Sequence, residues 1–366
     1  MFYDFIIIGG GAVGLFLAKS LKEKWGRNAS VLVLERKKEV GGKLCSGLVS
    51  EKFFDLLSED KKKQNLIKDI LIEREFNSAR IYVEKKFFDF EGRAFAIKRK
   101  KLEKILLEES INLGVDVQFS SDVIKIEEKT KFVNIWVKSG KHYQGKILAG
   151  CDGAISFTAS QINLPRQKKV LLGVTTELPF SVFKDTLDVN FVSLFFSKNF
   201  PGFFAWQIPK KDIIEVGVAL EPKYKPKQKL EKWLKDNFDV IINENSFKAA
   251  LIPFYPLKKT ISKRVFLCGD SAGMIKPYTG GGLIYGFEAA KIAAQTIDFR
   301  NPNLEIYEKD WRKILMPDIR IGNFLRKCYY LPSPVKKLGL FVLSKLAKIS
   351  KIDQDRPTTI FKCRSK

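Results

Sequence analysis

Two glycine-rich segments, at residues 9–14 and 268–282, constrain what this chain can fold into more than any other feature. The first follows an apolar run at residues 5–8, which is typical of a buried strand in a parallel sheet. One such segment is a weak signal for dinucleotide binding, because glycine-rich turns are common. Two of them in one chain indicate that a single large nucleotide is bound by both.

The first segment has the pattern of a strand, a tight turn and a helix. Gly9 allows the turn, Gly11 lets the backbone approach a pyrophosphate, and Gly14 permits the helix to pack closely on the strand. The amino-terminal end of such a helix carries free N–H groups and a partial positive charge, which favour phosphate. The predicted nucleotide contacts are Gly9, Gly11, Ala12, Val13 and Gly14.

An acidic residue follows the second predicted strand. The apolar residues 31–34 lead into Glu35 and Arg36, and Glu35 lies 21 positions after Gly14. An acidic side chain at this spacing normally binds the ribose hydroxyls, so both residues are predicted cofactor contacts. This pattern alone does not separate FAD from NAD, and it is the second glycine-rich segment that favours a flavin.

The composition excludes several other chemistries. The five cysteines are widely spaced and form no CxxC pair, so neither a disulfide framework nor a zinc site is expected. The single histidine, His142, argues against histidine-based catalysis and against a metal site, so a bound cofactor should carry the chemistry. No apolar run approaches the roughly 18 residues of a membrane-spanning helix. A strand near the first residue argues against a signal peptide, and we predict a cytoplasmic protein.

The net charge of +24 predicts attraction to an anionic surface. Membrane lipid, a phosphorylated substrate and nucleic acid all fit this charge, but no nucleic-acid-binding module is visible. Residues 323–351 mix apolar residues with lysine and arginine, and Pro332 and Pro334 should break this stretch. We predict a basic amphipathic helix from about Val335 onward that lies on the inner face of the cell membrane. The alternative is a helix that caps the protein's own core.

The order of predicted elements indicates a discontinuous nucleotide-binding domain. Residues 79–97 alternate apolar and polar positions, as antiparallel strands do, and a helix should open at Arg99. Strands are predicted at 122–136 and 141–149, and the chain returns to the nucleotide fold at Val265. The predicted fold is α/β, with a Rossmann-like FAD-binding domain, an inserted antiparallel-sheet substrate domain of α+β character and a helical carboxyl-terminal region. The predicted FAD-binding domain comprises residues 1–75, 98–160 and 260–300. The substrate domain comprises residues 76–97 and 161–259, and the carboxyl-terminal region comprises residues 301–366.

Several motifs together resemble those of the geranylgeranyl reductases, a branch of the p-hydroxybenzoate-hydroxylase-like flavoproteins. The resemblance covers about residues 1–315 and includes the stretches 99–103, 150–156 and 269–270. It implies that Arg99 lies near the FAD phosphates and that Asp270 holds the ribityl chain of non-covalently bound FAD. The same motifs imply cofactor contacts from Asp152, Gly153 and Gly269.

The turn at residues 277–282 suits a reduced flavin, which carries negative charge at N1 and O2. Backbone N–H groups in this turn would stabilise that charge, and the helix expected to start at Leu283 would direct its positive end toward it. The predicted cofactor contacts here are Gly280, Gly281, Gly282 and Leu283.

Two further segments resemble the prenyl-reducing branch of this family. Residues 204–209 are similar to its signature Tyr-x-Trp-x-Phe-Pro, with Phe204 and Ile208 in place of the tyrosine and the phenylalanine. The implied substrate contacts, an apolar wall suited to an isoprenoid, are Phe204, Trp206, Ile208, Pro209, Pro277 and Tyr278. The loop Cys45-Ser46-Gly47 resembles the family's cysteine–glycine loop that faces the flavin. All three loop residues are therefore expected to contact the cofactor. Cys45 is the predicted proton donor, and the alternatives are a bound water and a group on the substrate.

The resemblance implies an FAD-dependent reductase that saturates C=C bonds in the geranylgeranyl chains of membrane lipids or their precursors. The expected electron donor is a ferredoxin or a reduced nicotinamide, and the protein is expected to be a monomer. One alternative is a flavin monooxygenase that acts on a quinone or an aromatic substrate. A second is a non-catalytic, membrane-associated flavin-binding protein.

Overall fold

The computed structural model describes residues 1–183, 188–349 and 353–359, and the chain divides into two compact units. Unit 1 comprises Met1–Lys43, Arg99–Lys168 and Pro253–Ile319, and unit 2 comprises Leu44–Lys98, Lys169–Ile252 and Arg320–Lys366. These bounds differ from the predicted ones, since residues 44–75 belong to unit 2 and the region 301–366 divides at residue 320. Residues 350–352 and 360–366 of that region lie outside the described residues.

The described residues form fifteen strands and nine α-helices. The strands are β1 Phe2–Ile8, β2 Val31–Leu34, β3 Leu48–Ser50, β4 Ile72–Val83, β5 Lys86–Ile97, β6 Asp116–Gln118, β7 Val123–Glu128, β8 Val133–Val137, β9 His142–Gly150, β10 Val170–Pro179, β11 Phe191–Phe196, β12 Ala205–Pro209, β13 Ile213–Leu220, β14 Lys248–Pro253 and β15 Val265–Leu267. The helices are α1 Ala12–Trp25, α2 Lys52–Leu57, α3 Lys61–Leu71, α4 Arg99–Asn112, α5 Phe157–Gln161, α6 Pro226–Phe238, α7 Leu283–Thr296, α8 Leu304–Lys327 and α9 Ser333–Ile349.

Unit 1 is built on a seven-stranded sheet in the order β6-β2-β1-β9-β8-β7, with β15 paired to β9. The strands β6, β2, β1, β9 and β15 run parallel, and all four residues of β2 are buried, as expected for strands covered on both faces. The prediction of one strand over 122–136 is wrong. Lys129 donates its N–H to the carbonyl of Phe132 at 2.8 Å, and this tight turn divides the stretch into the antiparallel strands β7 and β8.

Helices α1 and α7 pack closely because glycine lies where they meet. A Cβ atom at position 286 would lie only 2.6 Å from Cγ2 of Val13. Beside this contact, the rings of Phe16 and Phe287 stack with their centroids 4.1 Å apart. The absence of a side chain at Gly286 therefore lets α7 approach α1, and this packing positions the amino-terminal end of α7.

Unit 2 is built on an eight-stranded sheet in the order β14-β10-β13-β12-β11-β4-β5-β3. The pairs β10–β13, β12–β13, β11–β12, β4–β5 and β3–β5 are antiparallel, as predicted for the substrate domain. The pair β4–β11 is parallel, since these strands come from separate segments of the chain rather than from a hairpin. Helix α6 contacts β10 and β13.

The last described helix, α9, begins at Ser333 with Pro334 in its first turn, where the missing N–H costs no hydrogen bond. The predicted break at the two prolines therefore lies between α8 and α9. Within residues 1–183, 188–349 and 353–359, no helix combines the length and the apolar character that crossing a bilayer requires.

We expect Gly286→Val to lower the free energy of unfolding by about 2–3 kcal/mol, because the added side chain overpacks the contact with α1. Urea denaturation measures this. The matched control is Gly339→Val, another helical glycine, where a Cβ atom would meet nothing within 4 Å. Equal stability of the two variants would contradict the packing described for α1 and α7.

Candidate functional site

The turn after β1 holds two glycines that the fold itself requires. Gly9 has a φ angle of +107°, and a Cβ atom there would lie 2.5 Å from the carbonyl oxygen of Cys151. A Cβ atom at Gly14 would overlap the carbonyl oxygen of Gly9. These positions therefore bring the start of α1, the end of β1 and the end of β9 together.

Gly11 differs, because nothing lies within 4 Å of the position its Cβ would occupy. It precedes α1 with ordinary extended backbone angles, so the absence of a side chain there is not explained by conformation. No side chain caps the helix, and its first turn, which begins with Ala12 and Val13, carries no acidic residue. The N–H groups at this end of α1 thus border open space suited to an anion.

Glu35 is held at the same turn by backbone hydrogen bonds. Gly10 donates its N–H to Oε2 of Glu35 at 2.7 Å, and Lys37 donates its N–H to Oε1 at 2.9 Å. Each carboxylate oxygen retains acceptor capacity for a ribose hydroxyl. The neighbouring Arg36 is exposed to solvent.

Asp152 organises the loop that follows β9. Its carboxylate accepts hydrogen bonds from the hydroxyl of Ser156 at 2.7 Å and from the N–H and hydroxyl of Thr158 at 2.8 and 2.9 Å. Burial raises the pKa of Asp152, and these hydrogen bonds oppose that shift. Gly153 follows with a φ angle of +90° and open space at its Cβ position. The structure therefore gives Asp152 a positioning role in a loop whose backbone is accessible at Gly153.

The second glycine-rich segment folds around Asp270. Oδ2 of Asp270 lies 2.5 Å from Nζ of Lys43, and a Cβ atom at Gly282 would lie 2.6 Å from Oδ1. The turn that follows is closed by Lys276, whose carbonyl accepts the N–H of Gly280 at 2.8 Å. Lys43 carries no sequence signal beyond its charge, and sequence reasoning missed it.

Helix α7 opens directly after this turn. Its first residue is Leu283, no side chain caps it, and no acidic residue occupies its first turn. Gly280 has a φ angle of +74°, which the turn needs and which glycine adopts without strain. The predicted tight turn and helix start are both observed.

Arg99 has the strongest unmet hydrogen-bonding capacity in unit 1. It is the first residue of α4, and Nη2 donates to Oε1 of Glu103 at 2.7 Å. Nε and Nη1 are buried and have no hydrogen-bond partner among the described residues. Buried donors without partners are costly, and phosphate is one of the two anionic groups, with carboxylate, that a guanidinium binds through paired hydrogen bonds. With the open space at Gly11 and Gly153, this side chain fits a bound dinucleotide.

Two of the predicted substrate residues, Trp206 and Ile208, lie in one apolar cluster on the sheet of unit 2. Trp206 and Ile208 pack in one cluster with Phe76 and Val192, and Leu48 packs against the same cluster. Leu48 follows directly after the Cys45-Ser46-Gly47 loop. The sheet therefore connects that loop to the aromatic segment of β12.

The indole of Trp206 is fixed by residues that sequence reasoning missed. A Cβ atom at Gly217 would overlap the ring, so only glycine leaves room for it there. The ring N–H donates to Oε1 of Glu215 at 3.2 Å, and Nζ of Lys210 lies 2.8 Å from Oε2. Glu215 is the one charged residue in the apolar strand Ile213–Leu220. This isolated charge is the sequence feature from which a buried polar contact could have been predicted.

Lys210 lies in a largely buried position beside the Glu215 carboxylate. Burial opposes the charge of Lys210, but the adjacent Glu215 carboxylate outweighs burial and raises the pKa of Lys210. Only 2% of the Glu215 surface is exposed. A buried pair of this kind holds a defined geometry, since losing either partner leaves an unpaired charge.

Phe204 belongs to an aromatic core rather than to an open surface. It is 5% exposed and stacks on Phe203 with the ring centroids 4.3 Å apart. The ring of Tyr329 lies edge-on to it at 6.2 Å. Pro209 is the last residue of β12.

The cysteine loop is anchored through its glycine. Gly47 has a φ angle of +74°, and its carbonyl accepts the N–H of Ile97 at 3.0 Å. Cys45 is half-buried and carries a free thiol. Unit 1 thus contains every predicted cofactor residue outside this loop, and it also contains the predicted substrate residues Pro277 and Tyr278. Unit 2 contains the loop and residues 204–209.

The chain matches the family described as FAD binding domain over residues 3–293, and it belongs to that family of flavoproteins. FAD is accordingly its cofactor. The protein is an FAD-dependent oxidoreductase that resembles the geranylgeranyl reductases, as the motifs predicted.

Relatives of similar length support this assignment. An uncharacterized protein of Methanocaldococcus jannaschii is 29% identical over 371 residues, which cover 96% of this chain and 89% of the relative. The digeranylgeranylglycerophospholipid reductase of the same organism is 26% identical over 352 residues, 89% of this chain and 87% of that protein. The structure of a geranylgeranyl bacteriochlorophyll reductase-like protein from Thermoplasma acidophilum has a TM-score of 0.78 at 18% identity, covering 99% of this chain and 95% of its own. The predicted flavoprotein fold with a helical carboxyl terminus is confirmed.

We expect Gly11→Leu to fold normally but to lose bound FAD, because its side chain would fill the space that the pyrophosphate needs. Visible absorbance of the purified protein and its melting temperature report the two properties separately. Gly14→Ala is the contrasting variant, and it should be destabilised by the clash with Gly9. A stable Gly11→Leu protein with full FAD occupancy would contradict the assignment of this turn.

We expect Arg99→Met to raise the dissociation constant for FAD by about tenfold or more, the effect of losing a charge-assisted hydrogen bond. Titration of the apoprotein with FAD, followed by fluorescence quenching, measures this constant. Lys101→Met is the matched control, since it removes an exposed cation from the same turn of α4. If both variants bind FAD like the unaltered protein, Arg99 does not contact the phosphates.

Proposed function

We propose that this protein is an FAD-dependent reductase that saturates C=C bonds in the geranylgeranyl chains of membrane lipids or their precursors. The observation that carries the proposal is the apolar sheet face on which Trp206 is fixed by Glu215 and Gly217. An extended isoprenoid offers no polar group along its chain, and a rigid aromatic wall is the surface that would align it. The name of the reductase from Methanocaldococcus jannaschii supports the same substrate class.

Different residues of the chain would bind the cofactor and supply the proton. The amino-terminal end of α1, Glu35 and Arg99 would hold the dinucleotide. The amino-terminal end of α7 would stabilise the negative charge of the reduced flavin. The chemistry supplied by bound, reduced FAD is delivery of a hydride to one carbon of the alkene. The Sγ proton of Cys45 goes to the other carbon, and the thiolate regains a proton from solvent. Each turnover thereby adds two hydrogens across one double bond.

The electrons come from a ferredoxin or a reduced nicotinamide in this proposal. The net charge of +24 would steer an acidic carrier protein or an anionic nucleotide toward the chain. We further propose that the protein acts as a monomer on the cytoplasmic side of the membrane, where its lipid substrate is available.

An anaerobic single-turnover measurement tests this function. Protein reduced with dithionite is mixed with a geranylgeranyl lipid, and the flavin absorbance should return as the alkene is consumed. The matched control is the fully saturated lipid, which should leave the flavin reduced. Failure of every prenyl lipid to reoxidise the flavin, together with oxygen-dependent consumption of a quinone or an aromatic compound, would favour a monooxygenase instead.

We expect Cys45→Ala to keep FAD bound and reducible but to slow alkene-dependent reoxidation by about 100-fold, as loss of a proton donor does. Cys328→Ala serves as the control, because Cys328 is another half-buried free thiol of unit 2. An unchanged single-turnover rate in Cys45→Ala would assign Cys45 a structural role.

A further inference from the structure

Helix α9 directs an apolar face to solvent. Leu338 is 66% exposed, and Val335, Phe341 and Val342 are each between 47% and 49% exposed. At the helical spacing of 100° per residue, the exposed positions from 334 to 345 occupy an arc of about 160°. Apolar side chains dominate this arc, which we call the α9 outer face.

The opposite side of α9 fixes this orientation. Leu340 and Leu343 are half-buried, and the helix contacts strands β4 and β5. At its start, the Ser333 hydroxyl donates to Oε1 of Glu84 at 3.1 Å. The helix therefore packs on unit 2 with one side and still presents apolar residues on the other. The alternative of a helix that caps the protein's own core fits this half-buried side, and membrane binding by the exposed side stays a prediction.

Two lysines lie in or beside the α9 outer face, within a stretch of the sequence that has no acidic residue. The sequence from Arg320 to Ile352 contains eight lysines and arginines and no acidic residue. Lys345 lies within the exposed arc, and its Nζ is 5.6 Å from the ring centroid of Phe341. Lys337 is adjacent to the arc and half-buried. Apolar residues next to lysines form the pattern of helices that lie in the interface of an anionic bilayer.

We propose that the α9 outer face docks on an anionic lipid bilayer, with Leu338 and Phe341 entering the headgroup boundary and Lys337 and Lys345 contacting the headgroups. A second copy of the chain fits less well. A symmetric dimer would bring the same face of both copies together, and the facing lysines would repel one another. The proposal goes beyond the reductase activity, because binding to the bilayer needs neither flavin nor substrate.

Vesicle sedimentation tests the proposal with the full-length, FAD-loaded protein. The vesicles contain equal parts of phosphatidylglycerol and phosphatidylcholine, and vesicles of phosphatidylcholine alone are the comparison. The protein should sediment with the anionic vesicles at low ionic strength and dissociate at high salt. The double variant Leu338→Ser, Phe341→Ser should lower the apparent partition coefficient by at least about tenfold.

Two controls distinguish binding by this surface from nonspecific adsorption of the protein to vesicles. Leu66→Ser removes a leucine of helix α3 that is 63% exposed, close to the 66% of Leu338, and it should bind vesicles like the unaltered protein. Lys337→Glu with Lys345→Glu should weaken binding to anionic vesicles without changing FAD content. Because all of these positions are at least partly exposed, circular dichroism should show unchanged folding.

Three results would overturn the proposal. The first is absence of binding to anionic vesicles by the unaltered protein. The second is equal binding by the Leu338→Ser, Phe341→Ser variant and the Leu66→Ser control. The third is a dimer in sedimentation equilibrium that the double variant dissociates, which would make a second copy the occupant of this face. None of these results depends on alkene reduction, so failure here leaves the proposed reaction untouched.

Discussion

The approach of α1 to the end of β1 is the constraint on which the rest of unit 1 depends. The backbone of Gly14 passes so close to the carbonyl oxygen of Gly9 that no side chain fits between them. Gly286 then lets α7 pack against Val13 of the same helix. Two uncapped helix ends, those of α1 and α7, are thereby brought into one compact unit, and both favour negative charge. The proposed binding site for FAD thus depends on glycines that the packing of unit 1 requires.

In unit 2, the side chain of Trp206 is held in place by close packing on glycine and by a buried ion pair. The ring of Trp206 lies over Gly217, where any larger residue would overlap it, and Glu215 accepts the hydrogen bond of the ring N–H. Lys210 in turn pairs with Glu215 in a largely buried position. A buried ion pair adds little net stability on average, but it penalises any rearrangement that separates the partners. The result is an aromatic wall with one defined orientation.

The sequence predicted the parts of this protein that depend on local chemistry. Gly9 was assigned a tight turn and Gly14 close helix–strand packing because glycine has few other reasons to occur in that pattern, and the structure agrees. Contacts between residues distant in sequence could not be predicted in the same way. Lys43 meets Asp270, and Lys210 meets Glu215 across a turn, but no spacing rule marks either pair. The division of residues 122–136 into two strands was missed because a polar turn interrupts the stretch without glycine or proline.

The proposed function requires that this protein, with reduced flavin bound, adds two hydrogens to an isolated alkene of a prenyl lipid. Mass spectrometry of a geranylgeranyl lipid after anaerobic incubation with the dithionite-reduced protein tests it most directly. The account predicts products heavier than the substrate by the mass of two hydrogens for each double bond reduced, formed only when the protein carries FAD. Recovery of the lipid at its original mass, from protein whose FAD is bound and reduced, would contradict the account.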